Sequence, residues 1–224
     1  MERRESKFTI FCLVPLILIS CISNSESDLD LSLHSNGVTV VCPDAVAGET
    51  GTLNGVEYEA VDNALLRDRI AAGADLTTLC TSSVTNMESL FRGAASFNQN
   101  IASWDTENVT TMREMFSGAR TFNQDIGSWD TGNVTSLVMT FRDATAFNQD
   151  IGEWNIGSVT NMLDTFFNAA SFNQDIGGWN TGNVTSMERT FLGASAFDQD
   201  LSDWNTANVV SMFGMFAGAT SFNR

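Results

Sequence analysis

The chain repeats itself at a fixed interval. Trp104, Trp129, Trp154, Trp179 and Trp204 mark one column of the repeat. Val84, Val109, Val134, Val159, Val184 and Val209 mark a second. Phe91, Phe116, Phe141, Phe166, Phe191 and Phe216 form a third, and Phe97, Phe122, Phe147, Phe172, Phe197 and Phe222 a fourth. A unit this short cannot enclose its own apolar side chains, so each unit buries them by stacking on its neighbours. Equivalent residues then form ladders about 4.8 Å apart.

Residues 122–146 show what one unit predicts. Residues 122–129 (FNQDIGSW) read as a strand side, and 130–133 (DTGN) as a turn, since these side chains bond their own backbone. Val134, Leu137, Val138 and Phe141 follow the i, i+3, i+4, i+7 spacing of a helix face. The second residue after each third-column Phe is Gly93, Gly118, Asp143, Asn168, Gly193 or Gly218. These types tolerate a left-handed backbone, so the spacing predicts a helix stop there. The expected class is an α/β repeat, a leucine-rich-repeat-like solenoid of 25-residue strand–helix rungs with a small N-terminal cap. An Asn column (Asn98, Asn123, Asn148, Asn173, Asn223) is expected to bond along the stack.

Composition narrows the function classes. Sixteen Phe against one Tyr indicate aromatics meant for burial. The Trp column is read as core; exposed, it would be a platform for sugars or a partner's apolar side chains. A net charge of −16 disfavours nucleic acid, which needs basic patches. Asp125, Asp150, Asp175 and Asp200 share one column. Like charges stacked this closely must face water or meet a compensating cation, and hard carboxylate oxygens suit Ca²⁺. These four are therefore the candidate ligand or cation face, and calcium the one candidate cofactor; no other metal site is read from the sequence. No His lies past His34, and no Gly-rich phosphate loop or Cys/His metal cluster is present, so no enzyme activity is expected.

The N-terminus reads as an address. Arg3, Arg4 and Lys7 precede an apolar run over 8–19 that is too short to span a bilayer but suits a secretory leader. The run ends in Leu18-Ile19-Ser20-Cys21, which resembles the lipobox of bacterial lipoproteins. That resemblance implies cleavage after residue 20 and acylation of Cys21, with two or three chains giving a stable anchor. Residues 1–20 are thus read as a signal peptide, and 21–36, polar and Ser-rich, as a tether. Residues 37–72 read as the cap: a strand over 38–42, a hairpin turning at Asn54-Gly55, and a helix over 63–72 with Asp62 as its N-cap. Residues 73–224 read as the repeat region, opening with a degenerate rung over 73–80. With Cys12 in the leader and Cys21 acylated, Cys42 and Cys80 are left to pair in an oxidising compartment.

The pattern FNQDIxxWxTxNVTxMxxxFxGAxxF, over about 72–224, resembles the BspA-type leucine-rich-repeat surface proteins of bacteria. Ile156 and Leu137 depart from it. The resemblance implies a right-handed solenoid, an exported lipid-anchored protein at the bacterial surface or outer membrane, and a role in protein binding or adhesion. Host, neighbour-cell or matrix protein, or a glycan, are the partners it implies, together with the membrane through Cys21. An envelope spacer without a specific ligand is the alternative. Phe222-Asn223-Arg224 match the start of a further rung, so the array is expected to continue or to be covered by a partner.

Overall fold

The computed structural model describes residues 29–224. The readings for the signal peptide, for acylated Cys21 and for 22–28 lie outside the described residues.

The cap is built from short strands and one helix. Strand β1 (Ser32–Leu33) pairs antiparallel with β2 (Val40–Val41). The stretch read as a tether thus contributes a strand. Strands β3 (Thr50–Leu53) and β4 (Val56–Ala60) form the hairpin, with Asn54 and Gly55 both at positive φ, 53° and 82°. Helix α1 (Asn63–Ala71) starts at Asp62, whose carboxylate accepts from the N–H groups of Ala64 and Leu65. It ends before Gly73, at φ 67°. Strand β5 (Leu79–Cys80) joins β4 in parallel, so the sheet order is β3-β4-β5. The degenerate first rung is thereby part of the cap's sheet. Cys42 and Cys80 are disulfide-bonded across the same junction, with Cα atoms 6.2 Å apart. Arg69 of α1 donates from Nε to Glu59 of β4 at 2.7 Å and holds that carboxyl below the usual glutamate range.

Beyond Cys80 the expected fold class is corrected. Among the described residues α1 is the only helix, and it precedes the repeats. The repeats contain turns and isolated parallel bridges, such as Ser136↔Asn161 and Asn161↔Ser186, in place of strand–helix rungs. The cause is a column that the apolar spacing conceals. Two residues before each third-column Phe the backbone is left-handed: Ser89, Glu114, Met139, Asp164, Arg189 and Gly214, with φ from 51° to 64°. A left-handed residue there ends any run of i→i−4 bonds. The six expected left-handed positions, Gly93 through Gly218, also have positive φ, but they close turns rather than a helix.

Backbone hydrogen bonds show what replaces the helix. In the unit over 137–147, alternate N–H groups close turns within the rung: Thr140 to Leu137, Arg142 to Met139 and Ala144 to Phe141. The intervening N–H groups of Leu137, Met139, Phe141 and Asp143 donate to Asn161, Leu163, Thr165 and Phe167 of the next rung, at 2.7–3.1 Å. A helix of one to two turns is marginal by itself. Sharing its donors with the next rung satisfies the same groups and locks the stack.

The core runs through the stack. Val134, Leu137 and Phe141 are buried as a helix face would bury them, but from turns. Phe rings stack along and between columns, with Phe141 to Phe166 centroids 5.5 Å apart and Phe141 to Phe147 4.1 Å. The Trp column is buried, at 0–8% exposure. Each indole N–H donates to a carbonyl of the preceding rung, as Trp154 does to Ile126 at 3.0 Å. The Asn column bonds along the stack through its side-chain oxygens, which accept the next rung's backbone N–H, as Asn98 does from Asn123. At the N-terminal end α1 seals the stack: Asn63 Oδ1 accepts from Thr85 and Asn86, and Arg67 donates to the Glu88 carbonyl.

Candidate functional site: the variable face of the stack

Most columns hold one kind of residue in every rung, because stacking leaves no alternative. Three neighbouring positions depart furthest, exchanging charged for large apolar residues. The residue after the Met column is Glu88, Arg113, Val138, Leu163, Glu188 or Phe213. The next, at the left-handed position, is Ser89, Glu114, Met139, Asp164, Arg189 or Gly214. The residue after the third-column Phe is Arg92, Ser117, Arg142, Phe167, Leu192 or Ala217. Ion pairs tie these positions into one surface.

Two carboxylates organise it. Glu114 is bonded by Arg92 at 2.9 Å and by Arg113 at 3.0 Å, and Arg113 also reaches Glu88 at 3.4 Å. Two rungs on, the Asp164 side chain is completely buried; Arg142 meets it at 2.9 Å and Arg189 at 2.8 Å. Asp164 raises the Arg189 guanidinium above its usual range, so that cation stays charged. Arg142 also lies over the Phe167 ring, 4.5 Å from its centroid. In both clamps a left-handed residue supplies the carboxylate, and an arginine of the preceding rung closes over it. The sequence reading missed this network. Its signal was available: an acidic residue two before the third-column Phe, with Arg directly after that Phe in the preceding rung.

The residues singled out from the sequence lie elsewhere. Cys42 and Cys80 sit buried at the cap junction. Asp125, Asp150, Asp175 and Asp200 are exposed on another stretch of the rung. Each accepts the N–H two residues on, as Asp150 does from Gly152 at 2.9 Å. That bond uses the carboxylate locally, and for Asp200 it lowers the carboxyl below the usual aspartate range. Among the described residues no group of three or more His, Cys, Asp or Glu side chains is placed to hold a metal ion. Ile156, the departure from the Thr column, is buried where Thr106, Thr131 and Thr181 bond the next rung's carbonyl.

Residues 63–170, and again 149–224, match the family described as "Mycoplasma protein of unknown function, DUF285". The chain belongs to this family. The DUF285 match starts at the first residue of α1 and contains the whole variable face, while β1–β4 precede it. Its two spans overlap over 149–170, as matches to a periodic unit can. No curated protein matches the chain, and no solved structure does.

Proposed function

We propose that this DUF285 chain is an exported, lipid-anchored bacterial surface protein without catalytic activity. Its stack binds another macromolecule, as an adhesion or recognition module. The observation that carries the reading is the kind of variation on one face: columns at 88, 89 and 92 exchange charged for large apolar residues from rung to rung, while the core columns hold theirs. Repeat scaffolds commonly use a constant core to present changing side chains on one surface. The lipobox-like Leu18-Ile19-Ser20-Cys21 and the likeness to BspA-type surface proteins support the address.

One experiment addresses both parts. The full chain is expressed in a bacterial host fed labelled palmitate, recovered from membranes in detergent, and applied to protein and glycan arrays. Label in the wild-type chain, its absence from Cys21→Ala, and saturable binding to an array member are expected. Equal membrane retention of unlabelled Cys21→Ala would remove the anchor. Silence on both arrays would favour a spacer instead.

A further inference from the structure

The face changes character along the stack. In its first two rungs the variable positions are Glu88, Ser89, Arg92, Arg113, Glu114 and Ser117, all polar. In the later rungs Met139, Leu163, Phe167, Leu192 and Phe213 bring apolar surface. Met139, Leu163, Phe167 and Leu192 are half-buried; Phe213 stands in the last rung of the sequence, where even Met212 of the Met column is 42% exposed. We propose that this later half is the contact surface, and that its partner is a protein segment offering apolar side chains without net negative charge. The inference rests on the binding role proposed above and names its partner class.

Three observations select that class. The arginines here are already spent on carboxylates of the same chain: Arg142 and Arg189 on Asp164, with Asp143 3.5 Å from Arg142. Glu188 adds a further negative charge beside Arg189. Neither arginine of this half is therefore on offer to a phosphate, a sulfated polymer or an acidic peptide, and the chain as a whole carries −16. The exposed aromatics of this face are Phe, which has no polar tip to bond sugar hydroxyls, while all five indoles lie in the core. A glycan would find no platform. What remains is aliphatic and phenyl surface around neutralised guanidinium planes, a mixture of the residue types that anchor protein interfaces. Because Asp164, Arg142 and Arg189 are paired within the chain, covering them with an uncharged partner strands none of the three.

The repeat itself supplies variants that keep the fold. Glu188 occupies the column of Leu163, and Ser117 that of Leu192, so Leu163→Glu and Leu192→Ser use residue types those columns already accommodate. The full chain, in detergent, is titrated against a peptide array of neutral twelve-residue sequences graded in Leu, Phe and Trp content. A matched set carries Glu substitutions, and heparin and a glycan array run alongside. Neutral apolar peptides are expected to bind, their Glu-bearing counterparts at least tenfold more weakly. Leu163→Glu with Leu192→Ser should weaken binding at least tenfold, whereas Asp150→Asn should not, with melting temperatures of all variants alike. Preference for heparin, glycans or the Glu-bearing peptides overturns the proposal. So does peptide binding that the face variants leave unchanged, which would leave the general binding role standing. Absence of binding to every probe overturns both.

Discussion

Asp164 combines two features that each cost free energy: a carboxylate with no exposed surface, and a left-handed backbone on a residue other than glycine. The arginines from the rungs on either side make it tolerable. Removing both partners of a buried charge is far more damaging than neutralising the charge, because an unpaired ion cannot recover its hydration. Arg142→Ala with Arg189→Ala should therefore cost about 3–5 kcal/mol. Asp164→Asn keeps the shape and leaves two guanidinium groups that can turn to water, so about 1–2 kcal/mol is expected for it. Urea unfolding measures both, and equal losses would show that the clamp does not hold the charge. The sequence reading looked for charge chemistry only in the column of Asp125, Asp150, Asp175 and Asp200. Asp164 escaped it because its partners stand one in the rung before and one in the rung after, a relation that only the stacked geometry brings into contact.

At the level of the rung, the decisive element is a chain of turns. Val134, Leu137, Val138 and Phe141 have the spacing of a helix and the burial of one. Yet Met139 among them has φ 57°, and its N–H donates to the next rung. Apolar spacing records which side chains face the core; it does not record where backbone donors go. Five of the six residues in this column are not glycine, and each carries a left-handed penalty of about 1–2 kcal/mol. Gly214 shows that the position accepts glycine. Ser89 is the test case, since its short side chain enters neither carboxylate clamp. Ser89→Gly should relieve the strain, and after the glycine's extra unfolded-state entropy a net gain of about 0.5–1 kcal/mol is expected. A fall in melting temperature would mean that the turn chain, not the residue, sets this conformation without strain.

The molecule as a whole is a stack sealed at one end by a cap that shares its first sheet. The disulfide crosses the junction, closing a loop between residues 38 apart in sequence. Constraining a loop of that length in the unfolded chain is worth about 4 kcal/mol. Cys42→Ala with Cys80→Ala should lower stability by about that amount in denaturant titration. A loss below about 1 kcal/mol, well under what the chain-entropy account requires, would show that β4–β5 pairing and α1 hold the cap by themselves. Membership of DUF285 places the stack, but not β1–β4, inside the matched region. By itself the sequence determined the period, the columns that fill the core, the hairpin at Asn54-Gly55, the cap of α1 at Asp62 and the left-handed stops after each third-column Phe. Those follow from side-chain volume and from local backbone preference, which neighbouring residues carry. Only the tertiary structure decided that the rung has no helix, that indole N–H groups reach carbonyls of the rung before, and that two carboxylates are shut beneath arginines. Each of those depends on groups a full rung apart becoming neighbours, and the free energy of a shared hydrogen bond or a buried charge exists only once they are.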